Sequence, residues 1–315
     1  MENSESWLCP DEPYGIYCSY NEQCLTPEAA NKFGATVMLT GFGGDEMLCG
    51  NPLYLADLLW RGRLKTFLAE LSKWSRVKNM SYLYGLTEFG IKPKIPYFLR
   101  PFLSVLLRKP IEFWYTFDVD SGPAIPRWID KHFAQNMSVT RRIPNLVPDK
   151  NCQNASMIPE YRSIHSSNTS LGRQVITCPL SVELRQPFYD KRLVEYIMGV
   201  PMPYRITIKE SGGLSQKLLI KNGMKGILPE SIRTRTRGPE FGRRALAGMR
   251  ADIPEFLRQL DLGNIEIVNR GYVDNNIFRE VLSQWVFGYW EDVGCMVNTI
   301  SLELWLKRHK SKYNI

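Results

Sequence analysis

The stretch Ala35-Thr36-Val37-Met38-Leu39-Thr40, entered from Gly34 and followed at once by Gly41-Phe42-Gly43-Gly44-Asp45-Glu46, constrains this chain more than any other. An apolar, β-branched run of that length between glycines reads as a buried parallel strand ending in a tight loop. Glycines at the carboxyl end of such a strand let backbone N–H groups converge, because no Cβ stands in the way, and loops of that kind hold anions. Asp45 changes the reading. A carboxylate beside a bare phosphate is repelled, so the combination implies a bridging divalent cation, most simply Mg²⁺ between Asp45 and pyrophosphate oxygens. The alternative is an ordinary turn in which Asp45 caps the following helix.

The remainder of the chain reads as scaffold around that loop. With 315 residues and 44% hydrophobic content it can bury a substantial core. Its seven cysteines are scattered singly, with no C-x-x-C pair, so neither a zinc knuckle nor a disulfide framework is indicated. Reduced thiols and an acidic, polar start imply a cytoplasmic protein. The most apolar run, 95–107, is interrupted by Arg100 and Pro101 and is too short to span a bilayer, so no membrane partner is expected. A net charge of +8 admits nucleic acid or polyanion handling as well as a merely solvated basic surface. Much of the excess is local, at Arg233, Arg235, Arg237, Arg243, Arg244 and Arg250, and that concentration favours a phosphate-facing loop.

In chain order, residues 1–25 form an irregular lead-in, and Thr26-Pro27-Glu28 predicts a helix start that Gly34 closes. Trp60, Leu64, Phe67, Leu68, Leu71 and Trp74 recur at helical spacing and predict one amphipathic core helix over 57–76. Residues 77–125 carry aromatics and basic residues together. Stacking of nucleic-acid bases would use such a set, but a helical subdomain packing its aromatics inward accounts for it, and no nucleic-acid partner is expected. Residues 141–160 read as a loop over the site, and 278–309 as helical.

Three segments carry a family resemblance. Leu39–Gly50 resembles the Ser/Thr-Gly-x-Gly-Gly-Asp-Glu-x-Phe-Gly-Gly loop of the asparagine-synthetase family, which includes β-lactam synthetases and lasso-peptide cyclases. Val182-Glu183-Leu184-Arg185-Gln186-Pro187-Phe188-Tyr189-Asp190, continuing to Glu195, resembles that family's Val-Glu-x-Arg-x-Pro-Phe-x-Asp segment. Lys217-Leu218-Leu219-Ile220, then Gly226-Ile227-Leu228-Pro229-Glu230-Ser231-Ile232, is the third match, in the right order. Ile125–Phe133 and the closing Leu302-Glu303-Leu304-Trp305-Leu306 are similar to segments of the lasso-cyclase-like branch.

The resemblance implies a helix-rich α/β fold with part of a PP-loop-type parallel sheet, as in adenine-nucleotide α-hydrolases. Residues 1–315 would form one synthetase domain that lacks its amino-terminal phosphate-loop part and the glutaminase domain. It further implies ATP and Mg²⁺ as cofactors and amide formation through an acyl-adenylate, from a peptide side chain or aspartate carboxylate. Thr40, Gly41, Gly43, Gly44, Asp45 and Arg235 would then bind ATP and pyrophosphate, with Asp45 as the metal ligand and Glu46 supporting the loop. Lys217, Glu183 and Arg237 would be catalytic. Arg237 stands where the family has a lysine; guanidinium clamps phosphate but scarcely exchanges a proton. Glu183 and Arg185 read as an ion pair, either bordering the pocket or buried as a structural unit. Phe42 replaces the glutamate of asparagine-forming members and argues for a less polar substrate. Ser211-Gly212-Gly213-Leu214-Ser215 imitates the missing phosphate loop but lacks its aspartate and follows no predicted strand. A second polypeptide supplying that loop is therefore expected. A non-catalytic peptide-binding or maturation subunit, or a truncated remnant, is the competing reading.

Overall fold

The computed structural model describes residues 6–116, 125–139, 152–166, 176–209, 213–235, 242–290 and 292–313. It is a helix-rich α/β protein, as expected. Helix α1, Tyr20–Lys32, starts ahead of Thr26 and carries Pro27 in its interior. Proline removes one backbone bond there, but the first turns are tied from outside: Gln23 accepts from the Tyr14 hydroxyl at 2.7 Å and donates to the Ile16 carbonyl at 2.9 Å. Gly34, at φ +71°, closes the helix as the sequence predicts.

Strand β1, Val37–Leu39, leads through the glycine loop into the short helix α2, Gly44–Leu48. Helices α3, Tyr54–Trp60, and α4, Leu64–Lys78, replace the single helix expected over 57–76. Gly62 breaks the run at φ +71°, a backbone conformation that side chains resist. Phe67, Leu71 and Trp74 keep the buried face of α4, while Trp60, Leu64 and Leu68 turn outward. Helix α5, Arg100–Leu106, follows. The aromatics of this region divide: Phe89, Trp114 and Tyr115 are buried, but Phe98 and Phe102 face solvent, so inward packing holds only in part.

Next come α6, Ile158–Ser166, strand β2, Glu183–Arg185, and α7, Lys191–Gly199. The pairing of β1 with β2 is parallel, with Val37 opposite Glu183, Met38 opposite Leu184 and Leu39 opposite Arg185. The sequence reading of β1 as buried does not hold, since Leu39 is 68% exposed. Cross-strand partners share a face, and the one made by Val37, Leu39, Glu183 and Arg185 is the exposed one, most fully at Leu39.

Strands β3, Thr207–Ile208, and β4, Leu214–Ser215, form an antiparallel hairpin. The Gly213 region thus does follow a short strand, while 210–212 lie outside the described residues. Helices α8, Leu218–Gly223, α9, Glu230–Arg233, α10, Gly242–Asp261, α11, Asn275–Val286, and α12, Val293–Tyr313, complete the chain.

Two large apolar clusters hold most of these elements, and a smaller one of Met47, Leu48 and Ile197 joins α2 to α7. One of the large clusters gathers Leu53, Leu55, Phe67, Leu71, Trp74, Phe89, Met157 and Ile206. The other joins Trp7, Tyr17 and Trp128 to the inner faces of α10, α11 and α12. Each large apolar side chain fully withdrawn from water contributes about 1.5–3 kcal/mol. The lead-in is therefore structural: Trp305 donates to the Pro10 carbonyl at 2.8 Å, and Arg308 to that of Trp7 at 3.1 Å. Glu303, fully buried, accepts the N–H groups of Glu266 and Ile267 and so satisfies the start of a helical turn there.

Candidate functional site

The glycine loop leaves the carboxyl end of β1, where the Thr40 N–H donates to the Arg185 carbonyl at 3.0 Å. Gly43 has φ +89° and stands at the N-cap of α2. A Cβ on it would lie 2.8 Å from the Tyr189 ring, and one on Gly44 3.3 Å from Phe188. Gly43 is thus required by the Pro187-Phe188-Tyr189 turn packed over it, and Gly44 lies tight against the same turn, which ties the first resembling segment to the second. Tyr189 is anchored in turn by a 2.8 Å hydrogen bond to Ser163 of α6. Gly43→Ala should cost about 1–3 kcal/mol, from the left-handed backbone and the displaced ring, measured by urea unfolding; a loss below about 0.5 kcal/mol would show that the ring yields freely.

Asp45 does not cap α2, since no side chain accepts a hydrogen bond at that N-cap. Its carboxylate projects outward, 79% exposed, and meets Lys217 Nζ at 2.5 Å. The third segment is brought in by its neighbour: Gln216 accepts the Gly50 N–H at 2.9 Å and donates to the Gly50 carbonyl at 3.3 Å. With Gln216 docked, Lys217 takes φ +60° at the start of α8 and reaches back to Asp45. Cys49 Sγ lies 3.9 Å from the same carboxylate. Burial pushes that thiol above its ordinary pKa, with Lys217 pulling against it, which suits a packed thiol rather than a nucleophile.

Beneath the loop sits a pair that no sequence pattern announces. Arg205, fully buried, places Nη2 2.5 Å from the Met47 carbonyl and 2.9 Å from that of Cys49, the open carbonyls at the end of α2. Glu160, 1% exposed, supplies the compensating charge through a direct contact with the same nitrogen. Burial pushes the Glu160 carboxyl up to about 7, with Arg205 opposing the rise. The pair fixes the helix that carries Asp45.

The other expected site residues are placed as follows. Thr40 has its hydroxyl oxygen buried with no hydrogen-bond partner among the described residues. Gly41 accepts the Gly44 N–H at 3.0 Å and closes the turn. Glu183 and Arg185 are paired at 2.9 Å but exposed, so the alternative of a buried structural pair does not hold. Glu183 lies at the amino end of β2, away from the end where the loop emerges. Arg233 clamps Glu230 at 2.8 Å and the Lys221 carbonyl at 3.0 Å, which makes it part of the α8–α9 packing rather than a phosphate ligand. Arg235 is exposed, and its backbone N–H donates to Ile232. Arg237 lies outside the described residues. Phe42 is half exposed, with its ring 5.9 Å from that of Tyr189.

No group of three or more metal-ligating side chains occurs among the described residues. Mg²⁺ carried with phosphates takes one or two carboxylates from a protein and the rest of its oxygens from ligand and water. Asp45, exposed and met by Lys217 and the Cys49 thiol, is a carboxylate of that kind.

The parallel strand pair presents its Gly-Gly-Asp loop and an opposed lysine at its carboxyl end, the end of the strands where α/β proteins as a class place their ligand sites. Residues 8–307 match the family described as asparagine synthase, and the chain belongs to that family. At family level this is an ATP-dependent, ligase-type amidating enzyme. No curated protein and no solved structure matches the chain.

Proposed function

We propose that the chain activates a carboxylate with ATP and joins it to an amine, with Asp45 holding Mg²⁺-pyrophosphate and Lys217 supplying positive charge beside the leaving group. ATP provides the α-phosphorus that the carboxylate oxygen attacks; pyrophosphate departs, and the amine then displaces AMP as the amide bond forms. The observation that carries the reading is the contact between Asp45 and Lys217, which joins two distant segments at one strand end around an exposed carboxylate. Lys217 meets the Asp45 carboxylate directly; Asp45 would hold Mg²⁺, and Lys217 would supply positive charge to the phosphates beside it.

Phe42, exposed beside Tyr189, lends the pocket rim an apolar surface that suits a peptide side chain better than free aspartate. This favours the lasso-cyclase-like branch. The exposed face of the two-stranded sheet, with Leu39 68% exposed, offers a surface for a further element beside the loop, and we place the domain in the cytoplasm.

Calorimetric titration of the full chain with pyrophosphate tests the reading at the loop itself. Binding should require Mg²⁺ and disappear with EDTA. Equal binding with and without Mg²⁺, or none under either condition, would overturn it. ATP–pyrophosphate exchange by the full chain in the presence of a carboxylate substrate would support the activation step.

A further inference from the structure

Helix α5 is inside out. The residue it buries is a cation, Arg100, whose guanidinium lies 4.1 Å from the Tyr97 ring centroid and 5.0 Å from that of Tyr115. Arg100 Nε also donates to the Ile95 carbonyl at 3.1 Å. Its outward stripe is apolar: Phe102 is 64% exposed, Val105 81% and Leu106 60%, and Phe98, in the turn that precedes the helix, is 79% exposed. Phe102, Val105 and Leu106 stand three and four residues apart and so share one side of the helix. A buried cation beneath an exposed aromatic and aliphatic stripe reverses the pattern of a helix that faces water, and apolar surface gathered in this way marks an interaction face.

The stripe is held firmly, since Ser104 donates to the Lys109 carbonyl at 2.6 Å and the Lys109 N–H returns to Ser104 at 3.1 Å. Arg108 and Lys109 stand exposed at its end. No Asp or Glu occurs anywhere from 89 to 111, within a chain of net charge +8.

We propose that α5 and its flanks form a peripheral docking surface for an anionic lipid bilayer, the apolar stripe entering the headgroup boundary and Arg108 and Lys109 meeting lipid phosphates. The charge on the rim selects this occupant. A second copy would bring the same cations against themselves, whereas an acidic bilayer surface complements both the stripe and its border. No helix among the described residues is long and apolar enough to cross a membrane, so the contact lies on the surface. It departs from the sequence expectation of no membrane partner, and it stands or falls independently of the amide chemistry.

Co-sedimentation of the full chain with vesicles of phosphatidylcholine, or of phosphatidylcholine with about 30% phosphatidylglycerol, tests it. The chain should pellet with the anionic vesicles, about tenfold less with the neutral ones, and lose binding at about 0.5 M salt. Phe102→Ser and Val105→Asp, at exposed positions, should each lower anionic-vesicle binding about tenfold with unchanged thermal unfolding. Arg108→Glu with Lys109→Glu should remove the preference for anionic lipid. Failure to pellet with either vesicle, or pelleting that these substitutions leave unaltered, would overturn the proposal. So would vesicle-free self-association, or stoichiometric capture of a peptide, that Val105→Asp abolishes while lipid binding persists.

Discussion

Arg205→Ala is expected to remove about 3–5 kcal/mol of folding stability, because it leaves a buried carboxylate without its countercharge. Glu160 is 1% exposed and meets Arg205 directly, and the same guanidinium also serves the carbonyls of Met47 and Cys49. Truncation therefore strands one charge and opens two backbone acceptors in a dry interior, where each unmet group is costly. Against a domain stability of about 5–15 kcal/mol this approaches unfolding. Urea denaturation measures it. The paired change Arg205→Met with Glu160→Leu should restore much of the loss, since an apolar replacement of both partners deserts neither. A single-variant cost below about 1 kcal/mol would mean that water reaches the pair and that it does not organise the loop.

Asp45→Asn should behave in the opposite way. The Asp45 carboxylate is 79% exposed and its ion pair with Lys217 is half in solvent, so breaking it should shift stability by less than about 1 kcal/mol. Function should fall by about 10²–10³ or more, because the amide keeps the shape but loses the charge that Mg²⁺ requires. The measurement is Mg²⁺-dependent pyrophosphate binding, and exchange wherever exchange is established, alongside urea unfolding of the same protein. Retained binding with unchanged stability would remove the metal role assigned to Asp45. Lost binding accompanied by a stability loss of several kcal/mol would show instead that Asp45 is a structural residue.

The chain's own pattern revealed the glycine loop because its chemistry is local: a left-handed turn demands Gly43, and a short apolar run before it demands a strand. The three resembling segments were legible for the same reason, and the structure brings Gly43 under Tyr189 and Lys217 onto Asp45. What escaped was tertiary. Nothing near Arg205 in sequence distinguishes it from the exposed arginines, since its partners on α2 and α6 come from distant stretches. Helical period ran straight through Gly62, where a backbone preference outweighs the alternation of apolar residues. The exposure of Leu39 was equally unreadable, because burial of a strand depends on what lies across its faces.

The parallel pairing of Val37–Leu39 with Glu183–Arg185 has a consequence for how such a chain can vary. The ligand loop and its packing turn meet at the strand ends, and the long excursion joining them returns to the site at α6, where Glu160 holds Arg205 and Ser163 holds Tyr189; its remaining loops, among the described residues, carry no contact with that site. Lengthening such an excursion is cheap, each doubling adding only about 0.6 kcal/mol of closure entropy. Insertions into its loops should be tolerated while α6 and the meeting point stay intact, which leaves those loops open to acquire new surfaces.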